Sequence, residues 1–310
     1  MSRLCSPYLT AISTAAALLL PVAAAASAQS DSARVEQLFM WASAGEIRFT
    51  DRVQPAKDSL GAMGATAARW MTYKLRCSDA RERLTVADVY EKIGKVATPY
   101  VVPFLDSSGE DMPTNAARCL GRIADTAAVP PLIAQLGHRH YRVRSEVATA
   151  LGKLKDPRAT DGLVLRLDTD PDSDVRKSAA VALGAIANGR AAPSLLHALG
   201  DSFFGVRQSA QVALTQVKPA PVTQLMTLVD SASGVVQRGA VIALGGCVDK
   251  RAHRELLQLL NDPDPYLRGF AVEALSLHRD RPDDGRIARM MRREHDPFVL
   301  AQIDRYQRRD

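Results

Sequence analysis

The stretch Val175-Arg-Lys-Ser-Ala179-Ala-Val-Ala182-Leu183-Gly-Ala-Ile186 returns, with changes, along most of the chain, and that recurrence leaves few folds open. Val175, Ala179, Ala182, Leu183 and Ile186 stand at i, i+4, i+7, i+8 and i+11, which is one face of a helix. The small alanines let a second helix come close, while Leu183 and Ile186 fill the space between. With Leu183 as anchor, the equivalent positions are Leu60, Tyr90, Leu120, Leu151, Leu214, Leu244, Leu275 and, less clearly, Tyr306. Successive anchors lie about 30–32 residues apart, the period of stacked helical hairpins. Four residues earlier stand Ala56, Val86, Ala116, Val147, Ala179, Ala210, Ala240 and Ala271. Eight earlier stand Met112, Val143, Val175, Val206, Val236 and Leu267. A unit this short cannot bury its own apolar face, so it must stack on copies of itself.

The 310 residues would suffice for two ordinary domains, but the period predicts one elongated array across residues 51–310. Hydrophobic content of 46% with only 5% aromatics suits Ala-, Leu- and Val-rich helices. A net charge of +6, spread over 24% charged residues of both signs, sets no strong demand for a polyanion. Few aromatics and mixed charge also argue against nucleic acid.

Residues 1–28 have the pattern of an export signal. Arg3 supplies the positive start, Leu9 to Ala26 is uncharged and mostly apolar, and Ala26-Ser27-Ala28 offers a small-x-small cleavage site before Gln29. An uncleaved membrane anchor is the competing reading, and Pro21 with the Ala-rich composition speaks against it. The expectation is an exported, periplasmic or secreted chain with no stable membrane insertion after cleavage. Residues 29–50 then form an N-terminal cap. Val35, Leu38, Phe39 and Ala42 share a face, predicting a helix from Asp31 to Ala44 with Asp31 or Ser32 as its cap. Three cysteines remain after cleavage, an odd number. Cys119 and Cys247 fall at core positions of the repeat and read as small hydrophobes.

Each repeat follows one grammar. The anchor helix ends near Gly94, Asp125, Lys155, Asn188-Gly189 or Lys218, and a short turn leads into a helix opened by Ala or Pro, as at Pro99, Pro131 and Pro193. Pro103 lies deeper and predicts a shortened or kinked helix. Acidic loops such as Asp168-Thr-Asp-Pro-Asp-Ser-Asp174 and Asn261-Asp-Pro-Asp-Pro265 lead back to the next anchor helix. They lack the central Gly and closing Glu of a calcium loop, so they are expected to cap helix starts.

The pattern Asp172-Ser-Asp-Val175-Arg176, Ala179, Ala182-Leu183-Gly184 and Ile186 resembles HEAT repeats, of the variety found in phycobilisome-lyase-like proteins. Weaker copies begin at Val143-Arg144, Val206-Arg207 and Leu267-Arg268. The resemblance implies an all-α, right-handed α-solenoid of stacked helical hairpins, about eight pairs with caps, and a protein-binding scaffold more than an enzyme. The Gly after the anchor is lost at Thr215 and Ser276 and the motif Arg at Gln237, so those repeats are expected to be less regular. Relatives with metal-dependent hydroxylase activity hold iron through His-Glu pairs. No His-Glu dipeptide occurs here, and His138, His140, His197, His253, His278 and His295 occupy different repeat positions. No catalytic residue, metal ligand or cofactor is therefore assigned. The enzymatic alternative is a HEAT-like lyase or oxidoreductase acting on a cofactor-bearing partner protein.

Arg83, Arg144, Arg176, Arg207 and Arg268 stand seven before their anchors and flank the buried face. There they are placed to bridge to acidic or carbonyl groups of the neighbouring repeat as an internal ladder, or else to form an anion-binding stripe. Six before the anchor stand Lys177, Gln208 and Arg238; two before it stand Val181, Val212 and Ile242. Stacking would align these six as a basic–polar stripe beside an aliphatic one, suited to an acidic or amphipathic segment of another protein. The competing expectation is that the three aliphatics pack between repeats.

Overall fold

The computed structural model describes residues 30–44, 50–231, 234–277 and 284–308. The expected export signal at residues 1–28 lies outside them. Helix α1 covers residues 30–42. The chain then alternates α2 (Thr50–Ala62), α3 (Ala65–Trp70), α4 (Ala80–Ile93), α5 (Thr98–Val101), α6 (Asp111–Ile123), α7 (Val129–Ala134), α8 (Tyr141–Leu154), α9 (Thr160–Thr169) and α10 (Ser173–Ile186). It continues with α11 (Ala192–His197), α12 (Phe204–Gln216), α13 (Val222–Ser231), α14 (Gly234–Gly246), α15 (Lys250–Leu259), α16 (Pro265–Leu275), α17 (Asp284–Met291) and α18 (Pro297–Gln307). An isolated backbone bridge between Asn188 and Lys218 is the one β-type pairing among the described residues. The even-numbered helices carry the anchors and stack each on the next, forming one layer of an all-α solenoid. The odd-numbered elements from α3 onward form the other layer and are shorter, often eked out by 3₁₀ turns.

The anchors are the core. Leu60, Tyr90, Leu120, Leu151, Leu183, Leu214, Leu244, Leu275 and Tyr306 are all buried, as are the eight residues four positions before the first eight of them. Among the residues eight before the anchor, Val143, Val175, Val206 and Leu267 are buried, while Met112 and Val236 are only half-buried. Burial of this continuous strip is the main stabilising term, since no single repeat encloses its apolar face.

Local chemistry sets where helices start and stop. Asp172, Asp264 and Asp296 each accept backbone N–H bonds at the start of an anchor helix, so the acidic loops act as caps. Asp125, Asp156, Asn188 and Asp249 cap the elements of the other layer in the same way. Three anchor helices end on a left-handed residue, Ala124, Lys155 and Ala187, and the turn follows at once. Around Pro103 the α-helix stops at Val101 and a 3₁₀ turn runs Val102–Asp106, because the proline has no N–H to continue the ladder. Helix α1 is already formed at residue 30, so Asp31 and Ser32 sit in its first turn and are not its cap. Val35, Phe39 and Ala42 are buried, and Lys74 lies 4.6 Å from the Phe39 ring and 3.1 Å from Glu36.

A glycine–alanine seam joins the anchor layer. A Cβ placed on Gly152 would stand 2.8 Å from the Ala182 Cα, and one on Gly184 would stand 2.9 Å from the Ala213 Cα. Gly121 meets Ala150, and Gly245 meets Ala274, in the same way. The residue after one anchor thus touches the residue before the next, backbone against backbone. Thr215 breaks this pattern without breaking the packing. Its side chain occupies the space over Gly246, where a Cβ would clash. The irregularity expected at Thr215 is therefore absorbed three residues further along the neighbouring helix, at Gly246 and not at Ala243.

Candidate docking face on the anchor helices

The exposed side of the anchor layer has two halves of different chemistry. From α2 to α10 it is cross-linked by polar pairs. Lys57 bonds Asp88 at 2.6 Å, Arg122 reaches both Asp88 and Glu91 at 2.6 Å, Arg118 bonds Glu146 at 2.7 Å, and Ser145 meets Ser178 at 2.9 Å. Each pair spans two consecutive anchor helices. Charges already matched within the chain offer a partner little net attraction, because the partner would have to displace an existing ion pair.

From α10 onward the face turns apolar. Val181 and Val212 are 55% and 53% exposed on adjacent helices. Together with Gln208 they line a trough of about 710 Å³ between α10 and α12, flanked by Lys155 and Lys218. Lys177 is exposed one turn earlier on α10 and borders a second, more polar cleft of about 570 Å³ with Arg118 and Glu146. Of the six residues picked out by their register, Val181, Gln208 and Val212 come together and Lys177 is adjacent. Arg238 and Ile242 behave differently. The Arg238 guanidinium lies 5.2 Å from the Phe270 ring and 3.4 Å from Glu273, drawn toward α16. Ile242 is half-buried and packs against the core.

Exposed aromatics are the part of this face that the repeat register does not single out. Phe203 and Phe204 are 44% and 62% exposed at the start of α12. Tyr266, Phe270 and Phe298 form a cluster with ring centroids 5.5–6.4 Å apart. In a chain with so few aromatics, the Phe203-Phe204 pair beside a helix cap was the available signal.

The arginines form a ladder. Arg144 donates Nε and Nη2 to the two oxygens of Asp170, each at 2.7 Å, and Nη1 to the carbonyls of His138 and Arg139. Arg176 repeats this with Asp201, at 2.8 and 3.0 Å, and the carbonyls of Asp170 and Pro171. Arg268 repeats it with Glu294 and the carbonyls of Asp262 and Pro263. The carboxylate comes from the next repeat, as expected, but both carbonyls come from the loop preceding the same helix. The Arg268 fork, with backbone N–H bonds from His295 and Asp296, holds the Glu294 carboxyl down at about 2 despite burial. Asp201 is also lowered. Burial opposes this, and the Arg176 bond and the Phe203 N–H outweigh it. Arg83 is half-buried at the edge of the polar cleft, and thirteen before the next anchor, where Asp170 and Asp201 serve Arg144 and Arg176, stands Ser107.

No group of three or more His, Cys, Asp or Glu side chains forms a metal-binding cluster among the described residues. His138 and His140 stack at 5.5 Å, and the His138 Nδ1 accepts the His140 N–H. Cys119 and Cys247 are buried and Cys77 is half-buried, all as free thiols. Burial pushes the Cys247 thiol up to about 11 and the Cys119 thiol further, away from reactive thiolate. No helix among the described residues is long and apolar enough to cross a membrane.

The family model for HEAT repeats matches residues 98–184, 160–229 and 221–303. No curated protein matches the chain. Among solved structures, the complex of CpcE and CpcF of phycocyanin lyase from Nostoc sp. PCC7120 is 22% identical, covering 77% of this chain and 94% of that one at a TM-score of 0.41. An engineered protein is 20% identical over 88% and 87% of the two chains, with a TM-score of 0.42. Human deoxyhypusine hydroxylase is 18% identical over 80% and 98%, with a TM-score of 0.36.

Proposed function

The chain belongs to the HEAT-repeat family, and from that footing we propose that it is an exported, non-catalytic scaffold that binds another protein. The observation that carries the proposal is the trough between α10 and α12. Val181 and Val212 leave apolar surface open there, with Lys155 and Lys218 in its lining, Lys177 adjacent on α10, and no acidic side chain in the lining. Apolar surface rimmed by cations suits an acidic amphipathic segment. Lys177 forms no ion pair among the described residues, so its charge is available to such a partner.

The probe is a fluorescein-labelled amphipathic peptide built from Glu and Leu. Val212→Asp is expected to leave the melting temperature near that of the parent chain and to abolish peptide binding. Lys177→Glu should weaken binding in a manner that fades with added salt, as screened surface charges require. Parent-like affinity in Val212→Asp would remove the trough from consideration. Unfolding of the same variant would place Val212 in the core and sink the site.

Export rests on residues 1–28. The intact mass of the chain recovered from an envelope fraction is expected to begin at Gln29. A chain that still carries Met1 would overturn the assignment to the periplasm or the medium.

A further inference from the structure

We propose that Arg207 is a docking point for a carboxylate brought by the partner protein, at a ladder position where the next repeat offers none. The inference rests on the scaffold reading above and adds where the partner's acid is held.

Arg144, Arg176 and Arg268 define what this position does. Each donates Nη1 to two carbonyls of its own loop, and each turns Nε and Nη2 onto a carboxylate of the following repeat. Arg207 keeps the first half of that arrangement. Its Nη1 lies 2.8 Å from the Asp201 carbonyl and 3.0 Å from that of Ser202. The second half has no internal counterpart. Asp170 and Asp201 both stand thirteen residues before their anchors, and thirteen before Leu244 stands Ser231. Ser231 is exposed, and its hydroxyl donates to the Thr227 carbonyl at 2.6 Å. The neighbouring Asp230, the last but one residue of α13, does not substitute for it: among the described residues it forms no ion pair with Arg207. The same repeat has also lost its arginine. Gln237 stands in that place and donates to the Val229 carbonyl at 2.9 Å, while Asp262 of the following loop binds the Asp264 N–H.

The fork is held ready. Two carbonyl bonds fix the guanidinium plane, so a carboxylate meets a donor pair with little rotamer freedom left to lose. The Phe204 ring lies 5.7 Å from the Arg207 guanidinium and is 62% exposed, with Phe203 at 44% beside it. The Lys177 side chain of α10 also comes near: a Cβ on Gly205 would lie 3.0 Å from the Phe203 ring and 3.5 Å from the Lys177 Cδ. An acidic residue flanked by an apolar one fits this combination of fork, rings and ammonium. It continues the acidic amphipathic character that the trough next to it favours.

The test supplies the missing carboxylate from within. In Ser231→Asp the new side chain is expected to take the Arg207 fork, raise the melting temperature by a few degrees and weaken the labelled Glu/Leu peptide about tenfold, the scale of one charge-assisted fork. Ser231→Asn should leave both quantities near the parent values. Arg207→Gln should weaken the peptide to a similar degree, and the Ser231 pair keeps the test valid if Arg207→Gln loosens the fold. A peptide with Gln in place of Glu should lose most of its affinity for the parent and be indifferent to Ser231→Asp. Unchanged Glu/Leu binding in Ser231→Asp would overturn the assignment of Arg207. If Val212→Asp abolishes binding while Ser231→Asp and Arg207→Gln do not, the trough stands and Arg207 falls. If none of the three has an effect, both readings fall.

Discussion

Asp170→Ala is expected to lower stability by about 3–5 kcal/mol, the cost of breaking a buried ion pair from one side. The Asp170 side chain is fully buried, and that of Arg144 is 10% exposed. Removing the carboxylate leaves the guanidinium desolvated, with only its two carbonyl bonds, and also strips the acceptor from the Asp172 N–H. The exposed pair Arg190–Asp161, with side chains 69% and 72% exposed, is the control. Asp161→Ala should change stability by no more than about 0.5 kcal/mol. The double variant Arg144→Leu with Asp170→Leu should recover part of the loss, since Arg144 is no longer left without its carboxylate, while Arg166, 3.7 Å from Asp170, still loses its partner. Urea midpoints compare all three. Equal losses for Asp170→Ala and Asp161→Ala would mean that the ladder does not carry energy.

Leu183→Ala is the second large effect, about 2–5 kcal/mol for a deleted core leucine. Leu183 is completely buried at the centre of the array, between α8 and α12. The seam on either side limits collapse, because Gly152–Ala182 and Gly184–Ala213 already bring the backbones into contact. The cavity would therefore stay open, which puts the loss toward the upper end of the range. Lys177→Ala, exposed on the same helix, should cost at most about 0.5 kcal/mol. Comparable urea midpoints for the two variants would refute the register on which the whole reading depends.

The core was legible in the sequence because its signal is a period. Nine anchors and the small residues four positions earlier repeat with the helix, and burial follows from that geometry alone. The arginines were legible for the same reason. Their partners were not. Asp170, Asp201 and Glu294 lie 25 or 26 residues further along in the next repeat's loop, and the spacing alone does not say which side chain there turns inward. The six residues of the candidate face show the same limit. Val181, Gln208 and Val212 are set by register on neighbouring helices. Arg238 is drawn to Phe270, a residue of a different repeat whose size no period records, and Ile242 packs against the core. The polar cross-links from Lys57 to Ser178 escaped notice because surface charges of both signs are common in any soluble helix.

The glycine–alanine seam has a mechanical meaning. Where backbones touch there is no soft side chain to compress or stretch, so from α6 to α12 the anchor layer behaves as the inextensible fibre of a bent beam. Bending must then be taken up in the other layer, whose elements are short and broken by 3₁₀ turns. A ligand lying across the anchor helices would meet a ruler with constant graduations, whatever the array's curvature at that moment. Its recognition would depend on the spacing of the graduations and hardly at all on how far the beam had flexed.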